Sequence, residues 1–474
     1  EWADDAITKG EELIKHSASW PVALRAELLA KQAGNYSQAK DQAQAKKLSL
    51  QAARLGDSGS VPKAVEELLR QRDQAGAARL LRDTAAAKTS WAANSRLEAA
   101  LKIEDPAVAL AELHRYDGKE FGLDGATVAR VHLKSKDAAS ARKALAESGH
   151  GEDDTQVRFD TAVLGGDVKA ASAQVHATDV ENLGNNIQRF AVLLTDSPSA
   201  IFQWSMMGMA MLAAVILLTL ALMPGALLVP VHYRGLMRRV RGRTPLPLFP
   251  SVGLRHAWWG LALLLALPFL VAGVIAPRSL AVLFAGETLP AADALFRLTL
   301  WSTVISLLLL SPIVWSLGRT SFRGDGALLR QAGWVLAALL VLYAVAFLQG
   351  MVLRWTMKDT ATIQTEMIGQ LLDGGKLFFG AVATFTLMAV LVPIFEELVF
   401  RCLLLGGMAR HISFGWANLI QALLFATAHG DPPRFFFYFT MGLLAGGLVR
   451  KTRSLTPAIA LHAINNGVAF LLTG

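Results

Sequence analysis

The sequence predicts an all-α protein in two parts: a soluble α-helical repeat domain, then a polytopic α-helical membrane domain of about eight spans. Two observations predict it. The 474 residues are 53% hydrophobic, with a mean hydropathy of +0.38. That average hides a sharp change near Pro198: before it no apolar run is long enough to span a bilayer, and after it such runs recur to the C-terminus. The soluble domain is therefore placed at residues 1–196 and the membrane domain at 200–474.

In the first part, residues 65–70, 77–81 and 138–146 repeat small and large apolar residues at helical spacing. Turn signals separate such stretches at Gly34-Asn35, Gly56-Asp57-Ser58-Gly59, Asp117-Gly118, Ser148-Gly149 and Gly165-Gly166-Asp167. Alanine where helices cross, with glycine or aspartate at the turns, is similar in texture to tetratricopeptide-type helical hairpins. Such arrays stack into concave surfaces that bind peptides or partner proteins, so a protein partner is expected for this domain. A spacer or cap is the alternative reading. Its acidic stretch Glu152-Asp153-Asp154 reads as a solvated loop.

In the second part, spans are expected at 201–223, 253–276, 294–317, 328–350, 377–405, 414–429, 435–449 and 455–472. Pro224, Pro230, Pro245, Pro247 and Pro250 read as helix breaks around the first loop. Basic residues crowd alternate loops: Arg234, Arg238, Arg239, Arg241, Arg243 and Arg255, then Arg319, Arg323 and Arg330, then Arg410, then Arg450, Lys451 and Arg453. The other loops are poorer in basic residues or carry compensating acids, as at Lys358-Asp359. The positive-inside rule puts the basic loops in the cytoplasm and both termini outside. A translocated N-terminal domain predicts an export signal ahead of Glu1. Residues 351–376 read as an amphipathic helix on the outer face. The net charge of +8 follows from the loop arginines and contact with anionic lipid, so no nucleic-acid partner is expected. The single cysteine, Cys402, excludes an intrachain disulfide.

The chemistry gathers in the last four spans. Glu396 and Glu397 lie in an otherwise apolar run, where an ionisable group costs roughly 2.5–3.5 kcal/mol unless it meets a partner or a cavity. Glu397 and Arg401 are four apart and share a helical face. Glu396 is turned about 100° away and is left for another partner. Phe425 and His429 are again four apart, as are His462 and Asn466. A lone membrane histidine is commonly a packing residue, but two histidines, an asparagine and paired glutamates on neighbouring spans relieve one another's desolvation cost. No serine or threonine sits in a nucleophile elbow. A Glu with a His can deprotonate water, and a second His with an amide can donate to an oxyanion, a set sufficient for peptide-bond hydrolysis. The same Glu396, His429 and His462 could instead bind zinc, with Glu397 as base, although the HExxH spacing is absent.

Glu396-Glu397-x-x-x-Arg401, Phe425-x-x-x-His429 and His462-x-x-x-Asn466 resemble, in order, the three motifs of the CPBP family of intramembrane glutamic endopeptidases. That family includes CAAX prenyl-protein proteases of the Rce1 type and bacteriocin-processing relatives. The resemblance covers roughly residues 376–474. It implies that Glu396 and His429 activate water, that His462 and Asn466 form the oxyanion site, and that Glu397 pairs with Arg401. It implies no cofactor and no metal. Cys402 stands where relatives commonly have glycine. A large exported N-terminal domain is not part of the usual pattern, and it shifts the expected substrate from CAAX proteins to exported or membrane-associated proteins. Processing of C-terminal sorting or anchor segments, as by the relatives called myxosortases, is then expected, in the cytoplasmic membrane of a bacterium. A non-catalytic membrane scaffold or immunity-type protein is the alternative from another class.

Overall fold

The computed structural model describes residues 2–39, 41–118, 122–147, 155–179, 181–243, 247–281, 291–324, 327–356 and 362–472. Helices dominate these residues, and no strand occurs among them. The Ser148-Gly149 turn, the acidic stretch Glu152-Asp153-Asp154, the Lys358-Asp359 pair and Pro245 fall outside the described residues. The chain divides into two compact units, Glu1–Gln174 and Val175–Gly474.

The first unit is a run of helices: α1 (Trp2–His16), α2 (Val22–Gln38), α3 (Gln42–Arg54), α4 (Val61–Arg70), α5 (Gln74–Asp83), α6 (Ser90–Leu101), α7 (Pro106–His114), α8 (Gly125–Lys134), α9 (Ala138–Glu147), α10 (Thr155–Leu164) and α11 (Val168–Ser172). Each of α1 to α9 packs on the next, while α4 also packs on α6, and α6 on α8. One apolar core, including Val61, Val65, Leu81, Leu97 and Val131, threads α3 to α8. Helix starts are set by side-chain caps, in which a carboxylate or hydroxyl accepts an otherwise unpaired N–H of the first turn. The capping residues are Asp41, Asp57, Asp73, Thr89 and Asp105, spaced by sixteen residues, and then Asp124, Asp137 and Asp167. Immediately before four of these caps stand residues with left-handed backbones: Gly56, Arg72, Lys136 and Gly166. Within the core, Arg96 is fully buried, with Nε 2.6 Å from Glu112 and Nη2 donating to the Leu81 carbonyl.

The second unit begins earlier than composition suggests. Helix α12 (Leu183–Asp196), expected in the soluble domain, buries Ile187, Ala191, Val192 and Leu193 and packs against α13 (Trp204–Leu222) and α15 (Leu254–Ile275). Its apolar stripe thus finds its core among membrane helices. The remaining helices are α14 (Gly225–Val240), α16 (Ala292–Leu317), α17 (Thr320–Arg323), α18 (Leu328–Thr356), α19 (Ile363–Phe379), α20 (residues 381–408), α21 (Phe414–Ala428), α22 (Phe435–Thr452) and α23 (Thr456–Leu472).

A helix occupies the body of each of the eight expected spans. Among the described residues four stretches are long and apolar enough to cross a membrane: Trp204–Val240 (α13 with α14), Leu254–Ile275, Ala292–Leu317 and Leu328–Thr356. Phe414–Ala428 and Thr456–Leu472 are shorter apolar helices. The protein is a membrane protein. Pro230, read as a break, lies inside α14; a membrane helix tolerates the lost hydrogen bond where neighbours support it. Of the polar stretch 351–376, residues 351–356 extend α18, and the helical part beyond it is α19.

The glutamate-bearing helix, α20, sits among the others. It packs on α15, α16, α21, α22 and α23. Gly260 of α15 lets Leu403 approach, and Gly407 of α20 lies against the Gly253 carbonyl, so backbones come close where small residues face. Two buried amides clamp α21 to α22. Asn418 Nδ2 donates to the Leu443 carbonyl at 3.1 Å and Gln421 Nε2 to the Gly442 carbonyl at 2.8 Å, over the small pair Gly442 and Gly446.

Candidate active site

Helix α20 changes hydrogen-bond register twice around the glutamates. Thr386–Leu391 is π-helical, Val392–Glu397 α-helical, and Leu398–Leu405 π-helical again. Such wide turns occur often at functional sites, because they re-aim side chains that a regular helix would place elsewhere. A cause of the first change can be read from the residues. Val392 N–H bonds the Leu387 carbonyl, five residues back. The next donor in that register would be Pro393, which has no N–H, so the Met388 carbonyl loses its partner within the helix. Asn466 Nδ2, on α23, donates to that carbonyl at 3.0 Å. Asn466 Oδ1 in turn accepts from Asn465 Nδ2 at 3.3 Å.

Below this tie lies the charged cluster. Glu397 Oε1 is 3.0 Å from Arg401 Nη1 and 2.9 Å from His462 Nδ1. The Glu397 and Arg401 side chains are 0% exposed and that of His462 is 4%. The guanidinium N–H groups are not aimed at the carboxylate, and Arg401 Nε, Nη1 and Nη2 make no hydrogen bond. The attraction is therefore mainly Coulombic, and Arg401 is further held 4.1 Å above the Phe425 ring as a cation–π contact. Because the charge of Glu397 is balanced by Arg401, its oxygen accepts from His462 Nδ1–H. That orients the imidazole so that Nε2 points to Glu396, 3.6 Å from Oε2.

The structure thus brings Glu396, Glu397, Arg401, Phe425 and His462 into one cluster. His429 stands beside it. Its Nδ1 lies 2.7 Å from the Phe425 carbonyl, which can only accept, so Nδ1 carries the proton and Nε2 is the acceptor in the neutral ring. The His429 ring leans on Phe425 at 4.5 Å and stacks on Tyr438 at 4.0 Å, 23° from parallel. The imidazole within ion-pair reach of Glu396 is that of His462. Helical spacing had left Glu396 for another partner, and His462 supplies it; no hydrogen bond or ion pair joins Glu396 directly to His429 among the described residues. Asn466, expected at an oxyanion, has one amide N–H committed to Met388.

Three participants escaped sequence reading. Tyr438 is the wall behind His429, and its only signal was the aromatic run Phe435–Phe439 after Pro432-Pro433. Asp431, buried, pairs with Arg434 at 3.1 Å just beyond His429. Pro393, three residues before Glu396, acts through the carbonyl that it leaves free. Among the described residues no three His, Cys, Asp or Glu side chains are arranged as a metal-ligand set. Cys402 is buried and makes no part of the cluster.

Fold and site together define an α-helical membrane protein with a Glu–Arg–His cluster buried between its helices. The family model for the type II CAAX prenyl endopeptidase Rce1-like matches residues 378–468, so the C-terminal part of the chain is an Rce1-like domain. A curated relative, the "Putative membrane peptidase YdiL" of Bacillus subtilis (strain 168), is 28% identical over 78 residues, 16% of this chain and 32% of that protein. The chain therefore spans about a third of the length of the relative it matches. No solved structure matches.

Proposed function

We propose that the membrane unit is an intramembrane endopeptidase that hydrolyses peptide bonds in membrane-associated or exported proteins with a water activated by Glu396. The observation that carries this reading is His462 held between the two glutamates, 2.9 Å from Glu397 and 3.6 Å from Glu396, inside the segment that matches the Rce1-like family. Buried Oε2 atoms of Glu396 and Glu397 and three guanidinium nitrogens have unmet hydrogen-bonding capacity. Buried polar atoms are normally paired, so this cluster is suited to take up a polar reactant.

In the proposed reaction Glu396 removes a proton from water as the oxygen attacks the scissile carbonyl carbon, and His429 Nε2 accepts a hydrogen bond from the water's other O–H, which stays on the oxygen. Electrons of the carbonyl π-bond move to its oxygen. His462, acting as the imidazolium with Nδ1–H on Glu397 and Nε2–H toward the site, and the second amide N–H of Asn466 donate to that oxyanion. Collapse breaks the C–N bond, and the proton held by Glu396 passes to the leaving amine. Arg401 keeps Glu397 ionised, Phe425 keeps Arg401 in place, and the reaction needs no cofactor.

The first unit is read as a binding surface for a protein partner or substrate. Caps every sixteen residues give a hairpin every thirty-two, close to the ~34 of tetratricopeptide arrays. With that unit outside a bacterial cytoplasmic membrane, exported proteins bearing C-terminal sorting or anchor segments are the favoured substrates. The test is reconstitution. Purified wild-type chain, placed in liposomes with solubilised membrane proteins of its source cell, generates new protein N-termini, and Glu396→Gln and His462→Ala do not. Equal generation by Glu396→Gln refutes the mechanism.

A further inference from the structure

One end of the membrane unit carries a polar cavity apart from the glutamate cluster. Arg238 lies in the last turn of α14, Arg450 in the last turn of α22, and Arg453 follows α22 with a left-handed backbone, φ 52°. With Ser413, Phe414 and Leu248 they line a cavity of about 340 Å³, within the ~300–1,000 Å³ range of small-molecule sites. Arg450 is stacked 4.5 Å above the Phe414 ring, and Arg453 Nη1 reaches the Pro247 carbonyl at 3.4 Å.

Among the described residues none of the three arginines pairs with a carboxylate, and the segments 231–243, 247–257, 409–416 and 447–456 contain no acidic residue. Gly324 lies against Ser454, and the residue after it, Asp325, falls outside the described residues. Like charges converging at a membrane boundary repel strongly, because the low-dielectric side screens them poorly. An anion relieves that repulsion. Two further features fit one. Ser413 starts the 15-residue helix α21 without a side-chain cap bond, leaving its hydroxyl and the first-turn N–H groups available. The cavity also lies where α14 and α22 end and α21 begins, among the basic loops that the positive-inside pattern assigns to one membrane boundary. Leu248 and the Phe414 ring give it an apolar wall, which suits a lipid glycerol and acyl start better than a free phosphate.

We infer that this cavity binds the phosphate of an anionic phospholipid headgroup, and that three guanidiniums favour a two-phosphate lipid of the cardiolipin type over a one-phosphate lipid. Basic pockets between membrane helices recognise headgroups in this way, and the planar guanidinium fork matches phosphate oxygens. The inference is independent of the proteolytic reading.

The test uses the full chain in nanodiscs of neutral phosphatidylcholine, titrated with cardiolipin, phosphatidylglycerol or inorganic pyrophosphate, with bound ligand counted by native mass spectrometry. Cardiolipin is expected to bind about tenfold more tightly than phosphatidylglycerol. Arg450→Gln with Arg453→Gln weakens it by about tenfold or more, and Arg450→Lys alone by several-fold. Lys451 is the control: on the same helix end, it sits over the Trp334 ring and does not line the cavity, so Lys451→Gln changes binding less than about twofold. Equal weakening by Lys451→Gln, which would mean diffuse charge, overturns the inference. So does no change in the arginine variants, or pyrophosphate binding as tightly as the lipid. Should the double variant fail to fold, the Arg450→Lys and Lys451→Gln pair decides.

Discussion

Asn466 satisfies the carbonyl that Pro393 strands. Its Nδ2 donates at 3.0 Å to the Met388 oxygen, the acceptor that a backbone N–H at position 393 would otherwise meet in this π-helical register. An unpaired carbonyl between membrane helices costs more than in water, where solvent would serve. The contact therefore fixes α23, and with it His462, against the glutamate helix.

Asn466→Ala should lower stability by about 1–2 kcal/mol. Pro393→Ala restores an N–H within reach of Met388, so the double variant should recover part of that loss. A thermal or dodecyl-sulfate unfolding cycle over the four proteins measures the coupling. Additive effects would show that the two residues do not share this carbonyl.

Glu396 and Glu397 should separate in stability. Removing Glu397 leaves Arg401 as an uncompensated buried charge, so Glu397→Ala should cost about 3–5 kcal/mol. The Glu397→Gln, Arg401→Met pair should cost less than Glu397→Ala alone. Glu396 is 21% exposed and, among the described residues, paired only with His462 at 3.6 Å, so Glu396→Gln should stay within about 1 kcal/mol of wild type. Unfolding midpoints in one detergent compare them directly.

In the first unit, Lys136 carries a left-handed backbone, φ 60°, where glycine holds the equivalent places at Gly56 and Gly166. Lys136→Gly should therefore stabilise the α8–α9 turn by up to about 1 kcal/mol, since the conformation strains any residue with a Cβ. Slower hydrogen exchange in peptides covering α8 and α9 checks it. The same substitution at Lys134, inside α8, should destabilise.

Glu67 supplies a pH dependence. Hydrogen bonds from Arg70, at 2.6 and 2.8 Å, and from Gln71 hold its carboxyl down at about 2 against an ordinary 4.5, opposed by its burial. A depressed carboxyl stabilises the fold above its unfolded pKa, and that stability is lost as pH falls toward the folded value. Exchange protection of α4 should therefore decline between about pH 4.5 and 2. In Glu67→Gln the decline over that window should be smaller.

The fold class and the membership of the cluster were legible because they rest on hydropathy and short spacing. The Glu397–Arg401 pair needed only one helix turn. The Glu396–His462 contact was not legible, since it depends on how α20 and α23 meet. The Asn466 contact hides in the π-helical register change of α20. Helix α12 fell inside the expected soluble domain, since its apolar stripe could not say which core it would join. The sixteen-residue capping period was present in the sequence, obscured because Thr89 replaces aspartate once and Arg72 and Lys136 replace glycine at the preceding turn position.

The central claim is that Glu396 activates the water that cleaves a substrate protein. The most direct measurement is a comparison of protein termini in the membrane and secreted fractions of wild-type cells and cells carrying Glu396→Gln at equal expression. The account predicts that a defined set of processed termini present in wild type disappears in Glu396→Gln, with the uncleaved precursors accumulating. The same termini at wild-type abundance in Glu396→Gln would contradict it.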